Sequence, residues 1–259
     1  MSITVILERL GDGIVVMSLN RPDSLNALSV AMRREIVANL THLSEDADCR
    51  VLIVTGAGRA FCAGLDLREL GTTSAGLASI DEDDPVGALA SFPHPVIIAV
   101  NGPAVTGGFE FALAGDIRIA STLASFADTH ALVGVMPGWG LSQRLSRLIG
   151  VGRAKEMSFT GRFIGAEQAL SWGLVNDVVE PQDLLPRAIS LAHDILRSAS
   201  GIITSYKSII DDGYALSFGA ALTEEVRRAN SFNASVSAGA VSGRTEDVLA
   251  RGRKGNKPA

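Results

Sequence analysis

The chain has only two cysteines in 259 residues, Cys49 and Cys62, and no C-x-x-C pair. That leaves no disulfide framework and no zinc array, and both thiols read as buried packing residues in a reducing compartment. Aromatic residues are 5% of the chain, and Asp+Glu outnumber Lys+Arg by 28 to 23. A net charge of −5 with so few stacking side chains argues against a nucleic-acid binder. Long apolar runs are missing too. Val96-Ile97-Ile98-Ala99-Val100 is strand-sized, far short of the roughly 18 residues a membrane span needs. Met1 to Arg9 carries charge early and has no apolar signal core, so a cytoplasmic location is expected. What remains is a globular composition, 47% hydrophobic and 20% charged, long enough to bury a real core.

Ile3 to Leu7 and Ile14 to Leu19 predict two strands around the tight turn Asp12-Gly13. Ser29 reads as an N-cap, followed by a helical stripe of Met32, Ile36, Leu40 and Leu43. Val51 to Gly56, Pro95 to Val100 and Asp116 to Ala120 read as further strands, the first two ending in glycine turns. Helical periodicity lies between these runs, so an α/β layer with mostly parallel strands is expected. Residues 71–87 read as a mobile surface insertion. Beyond Pro181 the chain turns helical, with one stripe of Leu184, Leu185, Ile189, Ala192, Ile195 and Leu196 and another of Leu222, Val226 and Ala229. The basic, glycine-rich end from Arg251 is expected to fray.

Two glycine turns stand at strand ends, where parallel sheets place their chemistry. One is Arg59-Ala60-Phe61-Cys62-Ala63-Gly64-Leu65-Asp66 and the other runs from Asn101-Gly102 to Gly107-Gly108-Phe109-Glu110. Each precedes a helix, whose first N–H groups have no intrahelical partner. Two such turns in one domain can aim two donors at one oxygen, as an oxyanion hole does. The alternative is that the small residues merely allow close strand–helix packing, and spacing alone favours that alternative. Neither segment is a nucleotide-binding glycine loop. Glu110 lies among Phe109, Phe111, Ala112, Leu113 and Ala114, a segment suited to burial. Burial would raise its pKa toward the range a general acid/base needs, although a first-turn carboxylate also offsets the helix dipole.

Taken in order, these residues resemble the crotonase family, the enoyl-CoA hydratase/isomerase superfamily. Asn20-Arg21-Pro22 with Asn26-Ala27-Leu28 resembles its Asn-Arg-Pro-x-x-x-Asn-Ala-Leu signature. Ala60 to Leu67 is similar to its first oxyanion segment and Asn101 to Glu110 to its second. Gly161-Arg162, Ala166, Ala169 and Trp172-Gly173-Leu174-Val175-Asn176 resemble a later family segment. The resemblance implies a spiral of repeated β-β-α units with a C-terminal helical region. It implies a core over 1–195 and a region over 196–259 that serves trimerisation and the acyl pocket. The substrate implied is an acyl-CoA thioester, with no cofactor beyond the coenzyme A of the substrate and no metal. The assembly implied is a homotrimer or a dimer of trimers.

On the same basis the N–H groups of Ala63 and Gly107 would hold the thioester oxygen. Ala63, Gly64, Leu65 and Asp66 would line the coenzyme A chain on one side, and Ser24 and Leu25 on the other. Glu110 matches the first catalytic glutamate of the hydratases. The second falls at His130, in Phe126-Ala127-Asp128-Thr129-His130 where the family has Phe-x-x-Pro-Glu. An imidazole can share that work, since it donates at one nitrogen and accepts at the other. Asp128 is an alternative carboxylate only for a shifted loop, and local geometry is expected to redirect its side chain. Trp139 reads equally as a wall of the acyl pocket or as core. His42, His94 and His193 have no metal-ligand company. The function expected is an enoyl-CoA hydratase, adding water across trans-2-enoyl-CoA to give 3-hydroxyacyl-CoA. An enoyl-CoA isomerase and a non-catalytic acyl-CoA binder are the alternatives.

Overall fold

In a computed structural model, residues 3–70, 83–199 and 201–237 are described, together with positions 239, 241, 244, 245 and 249. The basic end from residue 251 and most of the expected insertion, 71–82, lie outside the described residues. Contacts divide the chain into two compact units, Met1–Thr204 and Ser205–Ala259. The sequence boundary at 195/196 falls inside a helix, which the first unit needs for its core.

The hairpin forms as β1 (Val5–Gly11) and β2 (Ile14–Leu19). Asp12 and Gly13 both have positive φ, +53° and +86°, which suits the right-handed twist of the strands. β1 begins later and runs further than expected, because pairing continues through Glu8 and Arg9 to Gly11 opposite Ile14. Helix α1 (Val30–Ser44) starts where Ser29 Oγ accepts the Met32 N–H, and its stripe Met32, Ile36, Leu40 and Leu43 is buried. Next come β3 (Val51–Gly56), the short α2 (Leu67–Leu70) and α3 (Pro85–Ala90). Asp84 caps α3 and Val86 and Leu89 are buried, so residues 85–87 are an ordered helical turn rather than mobile surface.

Then follow β4 (Val96–Val100), β5 (Pro103–Val105) and α4 (Gly107–Leu113). The next turn holds β6 (Ile117–Ser121), β7 (Ser125–Ala127), α5 (His130–Val133), α6 (Leu141–Ile149) and α7 (Val151–Thr160). The first unit closes with β8 (Ile164–Gly165), α8 (Ala166–Ser171), β9 (Asp177–Val179) and α9 (Leu184–Leu196). The larger sheet has the order β1-β2-β3-β4-β6-β9, antiparallel at β1/β2 and parallel thereafter. The smaller sheet is β5-β7-β8. β4 and β6 lie in the large sheet, and each successor, β5 and β7, lies in the small one before a helix follows. This is a spiral of β-β-α turns.

β3 and β4 are apolar along their length because the sheet is covered on both faces. Leu52, Val54, Val96, Ile98 and Val100 face the main core, while Val51, Ile53, Ile97 and Ala99 pack with Leu184, Ala188 and Ala192 of α9. The second unit holds most of α10 (Ile202–Tyr214) and all of α11 (Phe218–Asn233). Arg228 joins these helices by ion pairs to Asp212 at 2.7 Å and Glu224 at 2.6 Å. Of the stripe expected there, Leu222 and Val226 are exposed.

Candidate active site

The Asn-Arg-Pro signature is a latch for the 57–66 turn. Leu25 and Asn26 both take left-handed backbone, φ +51° and +56°. This turns the buried Asn26 side chain to accept the Arg21 N–H at 2.8 Å and to donate to the Ala57 and Ala60 carbonyls at 2.9 and 2.8 Å. Arg21 reaches across to Asp66 at 2.9 Å. The Asp66 carboxylate is thus engaged within the fold. Ser24 and Leu25 stand beside the 63–66 segment, half-buried like Ala63, Leu65 and Asp66.

The expected oxyanion pair needs one correction. The Ala63 N–H already donates to the Leu25 carbonyl at 3.0 Å, so it is not available to a ligand. Leu28 then bonds to residues 64 and 66, its N–H to the Gly64 carbonyl and its carbonyl to the Asp66 N–H. A parallel bridge of this kind turns the N–H of the residue between, Leu65, to the other side. Gly64, at φ +99°, makes that reversal between Ala63 and Leu65. Among the described residues neither the Leu65 N–H nor the Gly107 N–H has an acceptor. The two groups are close neighbours: a Cβ at Gly107 would lie 3.6 Å from the Leu65 nitrogen, and one at Gly64 would lie 3.5 Å from the Gly107 nitrogen. Gly108 permits the close approach of these segments, since a Cβ there would fall 2.2 Å from the Cys62 carbonyl oxygen.

Thr106 sits immediately before Gly107 at φ +53° and ψ −114°, strained for a β-branched residue. Its N–H donates to the Ala127 carbonyl at 2.9 Å, and its hydroxyl accepts the Thr129 N–H at 3.2 Å and meets the Thr129 hydroxyl. The backbone ahead of α4 is tied in this way to the segment that carries His130.

Glu110 is buried, 2% exposed, one helical turn beyond Gly107. Its Oε1 accepts the Trp139 and Leu141 N–H groups at 2.9 and 3.2 Å, from the turn that opens α6. Its Oε2 lies 3.7 Å from His130 Nε2. Burial raises the Glu110 pKa above the ordinary carboxyl range, against the opposing Leu141 amide, His130 and the Trp139 amide. The structure therefore brings Glu110 and His130 together, both inside the fold. Asp128 joins them, contrary to expectation. Its Oδ1 lies 2.7 Å from His130 Nδ1 and accepts the His130 N–H at 3.2 Å. Burial alone would push the Asp128 carboxyl up, but its bonds to His130 and Ser158 outweigh that and hold it below the usual range.

Trp139 lies in the core: its Cζ3 would lie 3.2 Å from a Cβ at Gly107, and its indole N–H is buried without a partner among the described residues. His42 and His193 are exposed, and His94 packs edge-on against Phe92. Three features escaped the sequence reading: the Leu65 amide as donor, the 139–141 amides clamping Glu110, and Asp128 behind His130. Of these only Asp128 carried a signal, since Asp two residues before a helix start is the pattern of a side-chain turn.

A sequence profile of the enoyl-CoA hydratase/isomerase family matches residues 9–242. The chain is 40% identical over 242 residues to a probable peroxisomal enoyl-CoA hydratase of Arabidopsis thaliana, covering 93% of this chain and 91% of that one. It is 39% identical over 225 residues to the short-chain-enoyl-CoA hydratase of Clostridium acetobutylicum, covering 85% and 86%. The crystal structure of an enoyl-CoA hydratase from Bacillus anthracis superimposes with a TM-score of 0.86 at 35% identity, over 97% of this chain and 96% of that one. Motif order, spiral architecture and near end-to-end similarity agree, and the chain belongs to the enoyl-CoA hydratase/isomerase family.

Proposed function

We propose that the chain hydrates trans-2-enoyl-CoA thioesters to 3-hydroxyacyl-CoA. The observation that carries this reading is a buried acid and a buried imidazole, 3.7 Å apart, beside two neighbouring amide N–H groups that have no acceptor among the described residues. The thioester oxygen is assigned to the N–H groups of Leu65 and Gly107. A single donor of this kind contributes roughly 2.7–4 kcal/mol to an oxyanion transition state elsewhere. A water at ~2.8 Å from both Glu110 Oε2 and His130 Nε2 spans their separation with an angle of about 80°, within reach of both groups.

In the reaction the water oxygen bonds to C3 as the C2=C3 electron pair moves toward the thioester oxygen. The water proton passes to the Glu110–His130 pair, which returns a proton to C2 as the enolate collapses. The pair needs only one site that takes up the water proton, and the His130 ring offers one in place of a second carboxylate. Ser24, Leu25 and the backbone of 63–66 are assigned to the coenzyme A chain, supported by their side-by-side, half-buried placement. No further cofactor takes part. Assembly as a trimer or a pair of trimers is supported by the apolar surface of the second unit, including Tyr206, Ile210, Phe218, Leu222 and Val226. A reducing, cytoplasmic setting fits two buried free thiols.

The test is hydration of crotonyl-CoA by the purified full chain, followed by loss of enone absorbance. Glu110→Gln is expected to lower kcat at least ~100-fold, as removal of a general acid/base does. An unchanged rate would remove Glu110 from the chemistry. Turnover of a 3-enoyl-CoA without hydration of crotonyl-CoA moves the assignment to isomerisation.

A further inference from the structure

We propose that Asp128 is a positioning residue for hydration: it holds the His130 proton on Nδ1 and so presents the Nε2 lone pair to the water beside Glu110. This rests on the reading above for its chemistry, while its structural core is independent of it. Asp128 follows the last residue of β7, and one of its oxygens takes both the backbone N–H of His130, at 3.2 Å, and ring Nδ1, at 2.7 Å. The first contact fixes where α5 begins and the second fixes the rotation of the ring. Ser158, on α7, bonds the same carboxylate. The ring is therefore anchored to a strand and a helix at once.

A neutral imidazole has one N–H, and its place is set by the partner of the other nitrogen. An ionised carboxylate is acceptor-only, so the ring proton lies on Nδ1. Nε2 is then an open acceptor, 3.7 Å from Glu110 Oε2. When the water gives its proton to Nε2, the imidazolium that forms already has a buried anion against Nδ1. Where the family resemblance implies a carboxylate, this chain places an imidazole and sets a carboxylate behind it. The arrangement follows the logic of an acid–base residue oriented by a third group, in which a mis-set tautomer alone disables the base.

The experiment uses the full chain labelled with 15N-histidine, with His130→Ala to assign the signals. In the unsubstituted protein at neutral pH, His130 Nδ1 is expected to be protonated and Nε2 not. A proton on Nε2 overturns the proposal without any variant. Asp128→Asn is expected to shift the tautomer and lower kcat at least ~10-fold with KM within about twofold, and Asp128→Glu to restore part of kcat. Adding Asp128→Asn to His130→Ala is expected to cost less than about twofold more, because Asp128 acts through the ring. Loss of activity with an unshifted tautomer, or losses that multiply in the double variant, reduces Asp128 to a structural side chain. If Glu110→Gln leaves hydration intact while the tautomer is as expected, the hydratase reading fails and the positioning of His130 stands.

Discussion

Gly107 and Gly108 are neighbours whose replacement by alanine is expected to fail in opposite ways. Gly107 is the first residue of α4, and the nearest atoms to a methyl there are the Trp139 ring edge at 3.2 Å, the Leu65 nitrogen at 3.6 Å and Gly64 Cα at 3.7 Å. Helical alanine gains roughly 0.5–1 kcal/mol over glycine, which offsets a few tenths of an ångström of adjustment at Trp139. Gly107→Ala is therefore expected to melt within about 3 °C of the unsubstituted chain, at the 2–4 °C per kcal/mol of a chain this size. The methyl nevertheless stands between the two amides assigned to the thioester oxygen. Losing even one such donor costs about 10²–10³ in kcat, so hydration of crotonyl-CoA is expected to fall at least ~100-fold. At Gly108 the methyl would lie 2.2 Å from the Cys62 carbonyl oxygen and 2.7 Å from its carbon. Backbone cannot yield as a flexible side chain does, and overpacking of this kind costs about 3 kcal/mol or more. Gly108→Ala is expected to melt at least ~6 °C lower. Calorimetry paired with the hydration assay decides. A folded Gly107→Ala protein that hydrates at the original rate refutes the placement of the oxyanion site between Leu65 and Gly107.

Glu110→Gln is expected to stabilise the protein while disabling it. Burial raises the Glu110 pKa, so its contribution to stability is fully present below the ordinary value of about 4.3 and is lost as pH rises through the raised value. The gain in melting temperature on substitution should be largest near pH 8 and shrink toward pH 4; an equal gain at both would assign it to packing instead. Cys49 and Cys62 are buried, with their thiols pushed up to about 11 and about 12 by burial. A thiol-reactive dye at pH 8 should label neither in the native protein and both after denaturant, and fast native labelling would contradict their burial.

Where local chemistry decided the structure, the sequence was readable. Asp12-Gly13 supplied the two positive φ values of the hairpin, Ser29 capped α1, and the strand-sized apolar run 96–100 formed a strand buried along its length. Strand order was not readable, because β4 pairs with β6 while β5 leaves for another sheet, and no local signal records that exchange. The same division holds at the site. Glu110 stood out as an acid in an apolar segment, and His130 emerged only from the family resemblance. The donor at residue 65 rather than 63 depends on a backbone reversal at Gly64, which composition does not display. Asp128 was misjudged because strand and helix spacing were applied to a residue that belongs to a turn.

Gly107 and Glu110 share one rigid element, and this has a consequence for selectivity. The amide assigned to the thioester oxygen and the carboxyl assigned to the proton are three residues apart on α4, about 4.5 Å along its axis. Under that assignment the spacing would act as a fixed ruler for the acyl chain. A conjugated thioester presents its oxygen and its alkene carbons at one set interval, and an alkene one carbon further out overshoots the mark. Regiochemistry would then be dictated by helix geometry, leaving the surrounding loops to discriminate only the size of what lies beyond.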